Sequence, residues 1–523
     1  MSETGIKKYF LPKNLKKDLP SSVVVFLVAL PLCLGIALAS GAPLFAGLIT
    51  GIVGGIVTAS ISGSQLSVSG PAAGLTVIVL TSITALGSFE LFLAAVVIAG
   101  LFQIILGLVK AGTIGNYFPS SVIDGMLAAI GVILILKQIP HAVGYDKDFE
   151  GDEGFSQVGD ENTFTALFSA FDHINMGAVV ISLAALAILI FWPKIKQLAS
   201  IPAALIVVVL GIVLAIAFDG TSLALMADQR VQIPIVNDFN QFLGLFTFPD
   251  FSNLANKELW RVAITIAIVA SLETLLSLEA VDKIDPIKRV SPTNRELIAQ
   301  GVGNTFAGFI GGLPMTAVIV RSSANVMAGG RTKMSAIFHG VWLLVALLFI
   351  PTVINLIPLS ALAAILLMTG FKLAKPAVFK KMYKLGWSQF IPFVVTLLAV
   401  VLTDLLIGVA IGMSVGVLYI LRTNMRNAYF YKLEKSSDGS KVYKLNLSEE
   451  VSFLNKGAIL AALTNMPANS KVIINAERSQ YIDHDVLEII HNFKDNAHTK
   501  KIEVELIGFK ESYEFPEQSG IDI

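Results

Sequence analysis

The chain has 523 residues, 54% hydrophobic and 15% charged, with a formal net charge of zero and a mean hydropathy of +0.74. Ordinary soluble domains carry about 25% charged residues, so water-soluble cores cannot hide this much apolar surface and lipid must cover part of it. The balanced charge argues against a nucleic-acid partner, and the single cysteine, Cys33, excludes an intrachain disulfide or a multi-cysteine metal site.

Residues 1–20 form a polar N-terminal segment with Lys7, Lys8, Lys13, Lys16 and Lys17, and the pattern predicts no cleavable signal peptide. Residues 21–423 are a succession of apolar runs. At about twenty residues per span they predict about fourteen membrane segments. The first four centre near Ala29, Gly54, Val77 and Ile98, and the next three near Ile130, Ala185 and Val208. The eighth to eleventh centre near Val269, Ala307, Val320 and Leu344, and the last three near Leu366, Leu397 and Val415. Loops on one side carry Lys110, Lys194, Lys196, Lys283, Lys288, Arg289, Arg295, Arg331 and Lys333, then Lys372 to Lys384. Loops on the other side are acidic, with Asp146, Asp148, Glu150, Asp152, Glu153, Asp160 and Glu161, then Asp219, Asp228 and Asp238. The positive-inside rule places both termini in the cytoplasm of a bacterial-type inner (plasma) membrane. A linker is expected at 424–440, where Ser436-Ser437-Asp438-Gly439 interrupts the chain, and a soluble domain at 441–523.

The third and tenth runs are short, and each begins at a proline: Ser69-Gly70-Pro71-Ala72-Ala73-Gly74 and Gly311-Gly312-Leu313-Pro314-Met315-Thr316. These prolines lie 243 positions apart (71 to 314); a second pair opening the fifth and twelfth spans, Pro119 and Pro358, lies 239 apart. Two halves of seven spans each are therefore inverted relative to one another, and Gly/Pro-interrupted segments at matching positions mark a binding site. Pro71 and Pro314 are expected to start half-helices in mid-membrane. A half-helix start there exposes unpaired N–H groups and the positive end of a dipole, and two of them facing each other make an anion pocket. The blander reading of each proline is a kink in a continuous span.

Ionisable residues well inside apolar runs are functional suspects. Glu273 sits in the eighth span with Ser277 one turn on, and Arg321 sits in the tenth. Arg321 supplies the cation that an anion needs, and Glu273 accepts a proton or sodium ion for coupling; a structural ion pair between the two is the alternative. Glu279 and Asp282 read as solvated helix-end charges, Asp124 as a residue near the membrane face, and Asp404 as part of a turn. His141, His173 and His339 lack metal-ligand spacing, so no metal site is expected. Nothing resembles a nucleotide-binding loop or a nucleophile elbow, which leaves little basis for a pump or an enzyme.

The run Ala29-Leu30-Pro31-Leu32 through Ala39-Ser40-Gly41, with Ser67-Val68-Ser69-Gly70-Pro71 and Gly311-Gly312-Leu313-Pro314, resembles the SulP anion transporters, relatives of the animal anion exchangers and prestin. The likeness runs in order from about Leu11 to Arg422. It implies a seven-plus-seven inverted repeat, in which a core domain (spans 1–4 and 8–11) moves against a gate domain (spans 5–7 and 12–14). The anion would lie between the starts of spans three and ten, at Ala72, Ala73, Val320, Arg321 and Ser322, with Glu273 at the family's acidic position. The C-terminal part is similar to a STAS domain: strands at Lys441 to Leu447, Lys471 to Asn475 and Lys501 to Ile507, and helices at Leu454 to Leu463 and His484 to Lys494. Asp483-His484-Asp485 stands where regulatory STAS proteins carry a phosphorylatable serine, which points to a homodimer or a cytoplasmic partner rather than phosphorylation. The resemblance offers sulfate or bicarbonate as substrate. Gly63 to Thr76 is similar to sodium-dependent bicarbonate members, whereas a guanidinium beside Glu273 would compete with sodium. Proton-coupled symport is therefore the expectation, with sodium-coupled bicarbonate symport, passive exchange or a channel, and a dicarboxylate carrier as alternatives.

Overall fold

A computed structural model describes residues 11–147, 155, 162–195, 202–233, 235, 243–435, 441–510 and 513. Lys7, Lys8, Lys196, Asp238, the acidic loop residues from Asp148 to Glu161 and Ser436 to Gly439 lie outside these described residues. The chain separates into two compact units, Met1–Met413 and Ser414–Ile523.

In the first unit the described residues form seven helices long and apolar enough to cross a membrane, from Pro12–Ala39 to Leu359–Lys384, and an eighth, Leu405–Met425, runs on into the second unit. Shorter apolar helices are Ala73–Leu86, Ala203–Phe218, Met334–Phe349 and Trp387–Leu402. Each of the predicted centres falls within a helix, Gly54 in a π-helical stretch Gly54–Thr58. Local chemistry sets the breaks. Left-handed Gly87 (φ 80°) ends the Thr76–Leu86 helix, and Ser88 immediately caps Phe89–Leu108 by accepting from the Leu91 N–H. Pro119 and Pro358 occupy the same position, the extended residue just before Ser120–Val143 and Leu359–Leu373 respectively.

The helices fall into two packing groups. One holds Pro12–Ala39, Leu44–Ile61, Phe89–Leu108, Lys257–Ile284, Thr293–Phe309 and Met334–Phe349 with the two short proline-preceded helices. The other holds Ser120–Val143, Thr163–Asp172, Met176–Phe191, Ala203–Phe218, Leu359–Leu373 and Trp387–Leu402. The groups meet along a thin seam, chiefly Pro12–Ala39 and Ile319–Met327 on Leu359–Leu373, and Lys257–Ile284 on Ser120–Val143.

The second unit contains a four-stranded sheet in the order Tyr429–Lys435, Lys441–Leu447, Lys471–Asn475, Glu503–Ile507, antiparallel at the first pair and parallel thereafter. Val472 and Ile474 are buried on alternate positions and share a core with Ile459, Val486 and Ile490 from the helices Lys456–Thr464 and His484–Asn496. Asp483 caps the latter helix through the Asp485 N–H. Where the expected linker falls on described residues it is ordered: residues up to Arg426 continue the last helix, and Tyr429–Lys435 is a strand. As an edge strand it leaves Phe430, Tyr431 and Leu433 exposed, so its mixed charged and apolar pattern imitates a linker.

Candidate functional site

The two proline steps do not open helices. Pro71 ends a strand, Ser69–Pro71, and Pro314 precedes another, Met315–Ala317. The strands pair antiparallel, Ser69 opposite Ala317 and Pro71 opposite Met315, and the Val318 N–H donating to the Val68 carbonyl (2.9 Å) extends the ladder. The half-helices start later, at Ala73 after extended Ala72 and at Ile319 after extended Val318. Strand pairing satisfies backbone groups that helix starts at the prolines would leave open, and that is why the break falls two to five residues beyond them. Because the strands run in opposite directions, both half-helices point their N-terminal ends back at the crossing, and neither has a side-chain cap. Two uncapped N-termini give a concentrated positive potential.

Lys257–Ile284 runs beside this crossing. Thr274 Oγ1 accepts from the Ala317 N–H (3.3 Å), tying the helix to the second strand. Glu273, 5% exposed, lies directly against the first half-helix: a Cβ on Gly74 would sit 3.1 Å from its Oε2. A side chain at Gly74 would crowd the carboxylate, which glycine lets lie close against the opening turn. Glu273, Ser277, Ala73 and Val320 line one cavity of about 10 Å³ with Val318 and Ile319, closed from the other packing group by Ile130 and by Leu405, which follows Trp387–Leu402. This volume is room for one water, so any larger ligand requires the walls to part.

The remaining predicted residues lie elsewhere. Ala72 is buried among Ile36, Ala37 and Leu75. The Ser322 hydroxyl is engaged with the crossing, accepting from the Val68 N–H (2.9 Å) and donating to the Val318 carbonyl (2.7 Å). Arg321 turns away from the cavity to the rear of the crossing. A Cβ on Gly70 would fall 2.0 Å from its Nη1, and the Cys33 thiol borders the same space at Gly51. Arg321 is fully buried, and none of its three guanidinium nitrogens has a hydrogen-bond partner among the described residues.

Several buried polar residues were not singled out from sequence. On Thr293–Phe309, Glu296, Gln300 and Asn304 recur every fourth residue and form a polar ladder. Ser62 donates to Glu296 (2.5 Å), Gln300 donates to Ser69 (2.7 Å), and Asn304 donates to Gln103 (2.6 Å) and accepts from the Met315 N–H (2.6 Å). The ladder therefore holds both strands. Its i, i+4, i+8 spacing was the available signal. Lys137, 7% exposed, is a second missed charge, inside the apolar run of Ser120–Val143. Asp282 is not simply a solvated helix end: it accepts from the Ser291 N–H and hydroxyl (2.6 and 2.7 Å). At the far end of the seam a cavity of about 210 Å³ lies between Pro31, Leu34 and Leu38 and a polar wall of His141, Asp146, Asp228 and Arg230. Burial pushes the Asp146 carboxyl up, against the opposing pull of His141 2.5 Å away.

A family model of the sulfate permease family matches residues 15–396. YvdB of Bacillus subtilis (strain 168), provisionally named a sulfate transporter, is 30% identical over 81% of this chain and 76% of its own. The bicarbonate transporter BicA of Picosynechococcus sp. is 28% identical over 84% of this chain and 75% of its own. The transmembrane domain of a cyanobacterium bicarbonate transporter BicA superposes with TM-score 0.55 at 25% identity, covering 77% of this chain and 98% of that one. Murine Solute Carrier 26 family member A9, in its inward-facing state, shares the fold at TM-score 0.64 and 15% identity, over 97% of this chain and 87% of that one. With the matched region spanning nearly all of the helical unit that builds the strand crossing, the chain belongs to the sulfate permease family, as a polytopic α-helical membrane transporter.

Proposed function

We propose that the chain is a secondary active carrier of a small inorganic oxyanion of the sulfate or bicarbonate class, coupled to a proton carried by Glu273 and working by alternating access. The observation that carries this reading is the placement of Glu273 against the opening turn of the first half-helix, in a cavity walled by both packing groups. An anion at the two half-helix starts gains from their dipoles and is repelled by an ionised Glu273. Protonation removes that repulsion, so proton and anion bind together. Arg321 adds a fixed positive field from behind the crossing without touching the ligand. The names of the relatives supply the substrate class.

The same reading takes fourteen spans in a seven-plus-seven inverted repeat, with the packing groups as core and gate and both termini in the cytoplasm of a plasma membrane. It assigns residues 21–423 to transport and the C-terminal unit to a STAS-like module, in a homodimer. A second reading, sodium-coupled bicarbonate symport, is favoured by one observation: Ser277 places a hydroxyl in the Glu273 cavity while Arg321 stays outside it. Uptake of labelled sulfate, bicarbonate and a dicarboxylate into proteoliposomes, at two pH values with and without sodium, separates the readings. Accumulation of an inorganic anion driven by an inward proton gradient in sodium-free medium supports the first. Accumulation only with sodium supports the second, and equilibration without accumulation would leave a passive exchanger or channel.

A further inference from the structure

A charged pair among the described residues pins the seam between the packing groups. Lys283, one residue before the end of Lys257–Ile284, lies 3.0 Å from Asp124 in the second turn of Ser120–Val143, and its ammonium also donates to the Ser120 carbonyl. The lysine and aspartate side chains are 22% and 17% exposed, so water screens the pair only in part. The end of the bundle is set by a chain of contacts: Arg289 donates to the Arg331 carbonyl (2.7 Å), and Asp18 accepts from the Arg331 N–H (2.6 Å). That is the end of Lys16 and Lys17, where the seam widens on its other flank into a cavity of about 740 Å³.

Lys283 and Glu273 share one helix, separated by roughly 15 Å along its axis at 1.5 Å per residue. A rigid displacement of the group that carries Glu273 must therefore carry Lys283 away from Asp124. Glu279, one turn before Lys283, offers the released ammonium a partner on its own helix in the favoured i, i+4 order. We infer that the Asp124–Lys283 pair is a latch that must open and re-form in each transport cycle, making these two residues determinants of the rate of conformational exchange. The inference rests on the alternating-access reading.

The test uses the full chain with Cys33→Ala, which leaves no other thiol, and the added pair Asp124→Cys and Lys283→Cys. A short bifunctional thiol reagent is applied in proteoliposomes, and labelled-anion counterflow is measured before bridging, after bridging and after reduction. The latch predicts a fall of at least about tenfold on bridging and full recovery on reduction. Bridged protein that transports at the unbridged rate, or residues that never bridge, would overturn it. As a second route, Asp124→Lys and Lys283→Asp should each slow counterflow, and the double exchange should restore it to within about threefold; an exchange no better than the singles also overturns the latch. Counterflow by the native chain is the separate check on transport itself, and its absence would count against the carrier reading rather than the latch; Cys33→Ala must match the native rate before bridging is read.

Discussion

At the scale of single residues, Arg321 is fully buried beside the Cys33 thiol, and none of its guanidinium nitrogens meets a hydrogen-bonding oxygen or nitrogen among the described residues. A buried charge without such partners is destabilising by several kcal/mol, and the proposed function gives this one a role toward the anion. Arg321→Met keeps the apolar stem and removes the charged guanidinium. It should leave the melting temperature of the purified protein unchanged or higher, while raising the KM for the anion by at least about tenfold. A lower melting temperature with an unchanged KM would assign Arg321 a structural role instead. The guanidinium also explains Gly70, whose missing side chain makes room for Nη1. Gly70→Ala should destabilise by about 1–3 kcal/mol through overpacking. Combining it with Arg321→Met should recover most of that loss in the same melting assay.

At the scale of elements, the strand crossing depends on the Thr293–Phe309 helix as much as on its own pairing. Asn304 satisfies both the Met315 N–H and its carbonyl (2.6 and 3.1 Å). Asn304→Leu strands these groups and should cost about 1–3 kcal/mol, read as a lower unfolding temperature; unchanged melting would mean that the strand holds without its side-chain brace. The sequence was informative for elements with long periods and sharp breaks. Apolar runs located every long helix, and Pro71 and Pro314 marked the interruptions. It was poor for elements of three residues, because a strand such as Ser69–Pro71 is too short to show an alternating pattern and exists only through its partner far along the chain. For the same reason the sequence points to half-helix starts at the prolines, whereas they lie at Ala73 and Ile319. The direction of Arg321 was equally hidden: spacing placed it one residue after Val320 but could not show that it turns to the rear face. The edge strand Tyr429–Lys435 was missed because neither of its faces is deeply buried.

At the scale of the whole molecule, the described residues of the helical unit form two packing groups with cavities along their seam. The cavity at the lysine-bearing end is about 740 Å³, the one at the Glu273 site about 10 Å³ and the one at the far end about 210 Å³. Such a series suits a carrier whose centre is closed around the site while access is wider at one end. In the proposed function, coupling depends on whether the movement of the groups waits for Glu273 to be neutralised. The most direct measurement is concentrative uptake of labelled sulfate or bicarbonate into proteoliposomes under an imposed inward proton gradient, comparing the native chain with Glu273→Gln. The account predicts accumulation by the native chain and a loss of at least about tenfold in the variant, whose side chain can no longer exchange a proton. Gradient-driven accumulation by Glu273→Gln at the native level would contradict it.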